Sequence, residues 1–223
     1  MHLHSSVLRF AHRLFLWLGV AAMVYASGMA AYAVVYQRYQ SWKFERALVT
    51  ATAQNLKHEA ATPKVIKAAI VEEAASLREG EVVGKLEVPR IGISVMVLQG
   101  IENDTLIVGA GHVPGTPLPG ADGNVAIAAH RDTFFRKLEG IMTGDSIHFA
   151  TVRRTYEYVV DSTEIVDPED TQVMESRARS ELTLITCYPF YFVGAAPKRF
   201  IVHAQPSSDE RLRMQARREV QTR

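Results

Sequence analysis

Residues 181–190 read ELTLITCYPF, an apolar run in which small polar threonines alternate with Leu and Ile, closed by a cysteine, two aromatics and a proline. Such a run predicts a strand over 181–187, with Cys187 at its end where the strand gives way to a loop. Outward from it, the chain from Val82 onward is made of short stretches rich in Val, Ile, Thr and Tyr, divided by Gly, Pro and Asp. Strands are expected near 84–89, 91–98, 124–130, 145–150, 153–165 and 199–204 as well. That spacing predicts a compact antiparallel barrel or sandwich. Two short helical pieces fit between the strands, one at 103–109 and one at 133–138 with Asp132 as its cap.

The N-terminal third has a different character. LFLWLGVAAMVYASGMAAYAVVY, residues 14–36, carries no charge, and about 20 apolar residues suffice for a helix to cross the hydrocarbon core. Trp17 at one end and Tyr32, Tyr36 and Tyr39 at the other suit the two interfaces. A cleaved signal peptide is the rival, but its apolar region is shorter, so an uncleaved anchor is expected. Arg9 and Arg13 precede the span and Arg38, Lys43 and Arg46 follow it, a charge count that on its own would place the N-terminus outside. Large C-terminal domains translocate regardless of such counts. The expected division is residues 1–13 in the cytoplasm, 14–36 across the membrane, 37–81 a helical or tether segment broken at Pro63, 82–205 the folded domain and 206–223 a charged tail.

Composition removes some functions. With 25 Lys and Arg against 24 Asp and Glu, the net charge of +1 gives no electrostatic footprint for nucleic acid. A single cysteine excludes an internal disulfide and any multi-cysteine metal site, which leaves Cys187 as a packed core residue or a reactive thiol. A thiol becomes a useful nucleophile beside a base, most often histidine. Of the eight histidines, His112, His130, His148 and His203 fall in the β-rich part. His130 ends the run NVAIAAH at another strand-to-loop switch, and Ala126 and Ala128 on its strand face leave space beside an imidazole. Arg199 opens the run RFIVHA 12 residues after Cys187, so the loop 188–198 can return a guanidinium beside the thiol. Taken singly, each of these residues has an ordinary structural role as its stronger reading.

Taken together, TLITCYPF at 183–190, NVAIAAHRDTFF at 124–135, PKRFIV at 197–202 and GAGHVPGTPLPG at 109–120 resemble the sortase family, in particular its class D members. The resemblance spans most of 84–204. It implies a sortase-like, mainly β closed barrel with short helices, preceded by one transmembrane helix. It further implies a membrane-anchored cysteine transpeptidase with Cys187 as nucleophile, His130 as acid/base and Arg199 as the oxyanion or substrate-positioning donor. Such an enzyme cuts an LPxT[G/A]-like signal after Thr, forms a thioester, and passes the acyl group to an amine. His112, Thr186 and Tyr188 are the expected substrate-side residues. The implied partners are surface proteins with a C-terminal sorting signal and an amine acceptor, either a cell-wall precursor or a pilin-like lysine. No cofactor and no metal are expected, with Glu164, Asp167, Glu169 and Asp170 read as a solvated acidic loop. The rival readings are a cysteine peptidase releasing its acyl group to water, an L,D-transpeptidase, and a non-catalytic membrane-anchored binding module. LTLITC lacks the His and Gly that precede the cysteine in the L,D-transpeptidases.

Overall fold

A computed structural model describes residues 2–55, 77–175, 180–192 and 194–221, and within these a closed barrel follows a long N-terminal helix. The helix α1 is His2–Asn55. Strands β1 (Val82–Val88) and β2 (Ile93–Gln99) form a hairpin around a 3-10 turn, and α2 (Asn103–Val108) leads into β3 (Ala110–His112). Next come β4 (Asn124–Ala128), β5 (Ser146–Ala150), β6 (Thr155–Val166), β7 (Glu181–Tyr188), β8 (Lys198–Pro206) and α3 (Ser208–Gln221). The strands close in the order β1-β2-β3-β4-β7-β8-β6-β5.

The barrel is mainly antiparallel, but β2 with β3 and β4 with β7 run parallel. This corrects the expectation of a purely antiparallel sheet. A parallel pair requires a crossover, which α2 supplies for the first pair and the β5–β6 hairpin for the second. The expected helix at 133–138 is instead a series of turns followed by a 3-10 turn at Arg136–Gly140, and Asp132 is exposed. Burying Phe135 and Leu138, both sealed from solvent, fixes that segment tightly against the core.

Strand alternation places Leu86, Val95, Val97, Val125, Ile127, Leu182, Leu184, Val202 and Ala204 inside the barrel, with Phe149, Tyr156 and Tyr158 filling its width. Closure between β1 and β5 depends on Gly84. A Cβ there would stand 2.3 Å from the Ala150 carbonyl oxygen and 2.6 Å from Phe149 Cε1, so the backbones approach closely only because position 84 has no side chain.

The helix α1 does not stop at Tyr36. It continues unbroken to Asn55, and its outer part lies on the barrel, whereas broken helix or tether was expected from residue 37. Gln37 accepts a hydrogen bond from the Met96 amide at 2.9 Å and donates to the Val108 carbonyl, while Phe44 is buried nearby. A side-chain amide that satisfies one donor on β2 and one acceptor on α2 bridges helix and barrel. Pro63 lies outside the described residues. Residues Phe10–Leu48 contain a window of mean hydropathy 1.8, long and apolar enough to cross a membrane, and Phe15, Trp17, Met23, Val24 and Tyr25 are exposed.

At the other end the charged tail forms a helix that docks. Glu210 is only 1% exposed, pairs with Arg154, and donates its amide to Ser207 Oγ at 3.2 Å; the Arg154 guanidinium carbon in turn lies 4.2 Å from the Tyr156 ring centroid.

Gly84→Ala is expected to destabilise the domain by about 2–4 kcal/mol, because the added methyl meets backbone rather than a mobile side chain. Urea unfolding followed by tryptophan-independent circular dichroism reads this directly. A change under about 0.5 kcal/mol would show that β1 and β5 do not close as described.

Candidate active site

Three adjacent strands, β4, β7 and β8, carry the candidate residues, and their registers fix how these align. Cys187 is the direct antiparallel partner of Arg199. On the other side β7 pairs with β4 in parallel, Ala126 with Thr183 and Ala128 with Ile185. The Ala129 amide continues the ladder onto the Ile185 carbonyl at 3.1 Å. Two residues past the last pair, His130 therefore stands level with Cys187. His130, Cys187 and Arg199 form one row across the sheet.

The row lies on the outer face of the barrel. Val125, Ile127, Leu182, Leu184, Val202 and Ala204 point inward, so by alternation His130, Cys187 and Arg199 point outward, each half-buried. Behind them on the same face stand Ala128, Ile185 and Ile201, then Ala126, Thr183 and His203. Small and aliphatic side chains thus floor the approach to the sulfur.

The loops hold this row. Phe135 donates its amide to the His130 carbonyl at 3.1 Å, closing the turn after β4. Thr186, one residue before the thiol, is 2% exposed and donates through Oγ1 to the Ala129 carbonyl at 2.7 Å. Thr186 was expected on the substrate side; it faces inward and ties the nucleophile strand to the residue preceding His130. Tyr188, expected on the substrate side, packs instead against the barrel core with Phe190 and Phe200, ring centroids 6.0 and 6.4 Å away, on the face of the sheet opposite the thiol. Arg199 rests its Nη1 on the Lys198 carbonyl at 3.1 Å, with the Ala196 carbonyl at 3.4 Å.

His112 is placed differently from the pocket-lining role expected of it. It is 2% exposed, with Nδ1 bonded to Gln99 Oε1 at 2.8 Å and Nε2 to the Pro117 carbonyl at 3.0 Å and Thr116 Oγ1 at 3.1 Å. Both ring nitrogens are engaged, so His112 organises the 113–117 turn. Burial holds its pKa below the ordinary 6.5, opposed in part by the Pro117 carbonyl.

Arg131 directly follows His130. Its guanidinium donates to three carbonyls of the loop joining β7 to β8, those of Pro189, Phe192 and Gly194, at 3.0, 2.8 and 3.1 Å. The sequence signal for it is adjacency to His130 and nothing more. Among the described residues no cluster of three or more His, Cys, Asp or Glu side chains is arranged to hold a metal ion.

Comparison with known proteins agrees with this fold. A family model of the sortase domain matches residues 86–207. The chain is 35% identical to sortase D of Bacillus subtilis (strain 168) over 127 residues, covering 56% of this chain and 64% of that relative, just under two thirds of its length. It is 28% identical to sortase A of Bacillus anthracis over 178 residues, covering 75% of this chain and 82% of that one. The structure of Clostridium perfringens sortase C with the C-terminal cell wall sorting motif superposes with a TM-score of 0.57 at 21% identity, over 72% of this chain and 98% of that one.

Two outcomes are expected from the supporting residues. Thr186→Val leaves the Ala129 carbonyl without its partner and should cost about 1–3 kcal/mol in urea unfolding; an unchanged midpoint would contradict the tie. For His112, the unfolded chain takes up a proton more readily than the folded one. Its contribution is therefore present at neutral pH and is lost as pH falls below about 6.5. The stability gap between native chain and His112→Gln should narrow between about pH 7.5 and 5.5, and a constant gap would contradict a buried neutral imidazole.

Proposed function

This chain belongs to the sortase family, and from that premise we propose that it is a class D-like cysteine transpeptidase acting outside the cytoplasmic membrane. The observation that supports the reading is the pairing of Cys187 with Arg199 across β7 and β8, together with a β4–β7 ladder that ends at Ala128 and Ile185, two residues before His130 and Cys187. Nucleophile, proton carrier and charge-stabilising donor are the three groups that acyl transfer through a thioester needs.

The Cys187 thiol passes its proton to His130, and its sulfur attacks the carbonyl carbon of the threonine in an LPxT[G/A]-like signal. Negative charge then develops on the carbonyl oxygen, and Arg199 is placed to stabilise it. As the C–N bond breaks, His130 gives a proton to the leaving amine, and the acyl group remains on sulfur as a thioester. The acceptor amine attacks that thioester, His130 takes its proton, and the thiol is regenerated as the new amide forms. The aliphatic floor of Ala128, Ile185 and Ile201 suits a short apolar peptide, and the Clostridium perfringens sortase C structure holds a C-terminal cell wall sorting motif.

Residues 14–36 act as a single membrane span with 1–13 in the cytoplasm, and residues 82–205 as the catalytic domain beyond it. The substrates are surface proteins with a C-terminal signal, and the acceptor is a cell-wall precursor or a pilin-like lysine. What supports this is the apolar helix and the docking of Gln37 immediately after the span, which holds the barrel close to the bilayer.

Intact mass spectrometry of the full chain in detergent, with LPxTG and LPxTA peptides, tests the reading. A thioester on Cys187 that an added amine turns into ligated product is expected, and Cys187→Ala should form none. His130→Ala and Arg199→Ala should each lower turnover by about 10²- to 10⁴-fold. Hydrolysis without ligation would favour the peptidase, and no adduct over a wide peptide set would sink the proposal.

A further inference from the structure

The loop between Cys187 and Arg199 has a support that the transfer chemistry does not use. Carbonyls in an irregular loop need donors, and those of Pro189, Phe192 and Gly194 all take theirs from Arg131. Pro189 is two residues past Cys187, and Arg131 follows His130. One half-buried side chain thus reaches from the end of β4 to the loop that leaves the nucleophile strand and returns as Arg199. Gly194 has φ of +109°, a conformation that L side chains rarely adopt, and in it the Gly194 carbonyl accepts from the guanidinium. The guanidinium carbon also lies 5.8 Å from the Phe192 ring centroid, which adds a contact to the same loop.

We propose that Arg131 is a positioning residue that clamps the β7–β8 loop to the His130 turn and thereby sets the approach of His130 and Arg199 to the Cys187 sulfur. The inference rests on the roles given above to those three residues. A guanidinium is planar and rigid, and its separate N–H groups can serve three carbonyls at once. A lysine ammonium is a single point at the end of a flexible stem and does not reproduce that fork. Thr186 makes a second tie at backbone level, so the barrel itself does not depend on Arg131. The clamp therefore acts on the geometry of the row and leaves the fold intact. A displacement of about 1 Å between reacting groups can cost about 10²-fold in rate.

The test uses the full chain in detergent, comparing wild type with Arg131→Ala, Arg131→Lys and Arg136→Ala. Arg136 touches the same loop only through the exposed Tyr191 ring, 4.5 Å away, and serves as the control. Three quantities are read at one pH: kcat and KM for peptide cleavage, the rate of alkylation of Cys187 by iodoacetamide, and Tm. Cys187 is the sole cysteine, so alkylation reports it alone.

Arg131→Ala should lower kcat by about 10- to 100-fold with KM within about threefold, and should slow alkylation by at least about fivefold, with Tm moved by only a few degrees. Arg131→Lys should stay near the alanine value, and Arg136→Ala near wild type. Wild-type kcat and alkylation in a folded Arg131→Ala would overturn the proposal, as would full recovery by lysine or an effect confined to KM. Should Arg131→Ala not fold, Arg131→Lys decides in the same way. A wild-type chain that cleaves no sorting peptide would count against the substrate reading, and the alkylation rates would then judge the clamp alone.

Discussion

The register of β4, β7 and β8 is the constraint on which the site depends. A parallel pair on one side of β7 and an antiparallel pair on the other bring three chain segments, far apart in sequence, to one level. A slip of one residue in either pair would turn a functional side chain into the barrel. The register is pinned by what the inner face must bury: Val125, Ile127, Leu182, Leu184, Val202 and Ala204 all sit in the core. Hydrophobic burial thus sets the chemistry of the opposite face, because the alternation that hides the leucines exposes the cysteine, the histidine and the arginine.

Around that row the structure spends hydrogen bonds on loops. The turn after β4 is closed on His130, the nucleophile strand is tied to it through Thr186, and the β7–β8 loop is gathered by Arg131. A reactive side chain at a strand end is precise only if the adjoining loop is also fixed, since strand ends fray. Tyr188, Phe190 and Phe200 pack together under the same end of the sheet, on the face opposite the thiol.

Much of this was legible in the sequence, for particular reasons. The long apolar and β-branched runs marked seven of the strands, and the reactive residues stand where those runs break, at Cys187 before Tyr188 and Pro189 and at His130 before Arg131. β3 was missed because three residues, AGH, are too few to show a period. The two parallel pairs were missed because periodicity carries no strand direction. His112 looked like a pocket residue from its glycine-rich setting, whereas Gln99 and the 116–117 turn consume both of its nitrogens. The docking of α1 by Gln37, and of α3 by Glu210, could not be read, since each rests on one polar side chain in a segment whose composition resembles a tether or a tail. Arg131 was hidden for the same reason: its three partners are backbone carbonyls, which leave no mark in a sequence.

The shared level of His130 and Cys187 is the central claim, and a single added cysteine tests it. Neighbouring strands lie about 4.8 Å apart, within the Cα range of about 4.4–6.8 Å that a disulfide spans. In the chain carrying His130→Cys, Cys187 is the only possible intramolecular partner. Mild oxidation of the monomer should remove two hydrogens, read by intact mass, and should block alkylation at both positions, while Thr133→Cys in the same assay should not cross-link. Free thiols at both sites, or disulfide-linked dimers alone, would contradict the alignment of β4 with β7 from which the whole account is built.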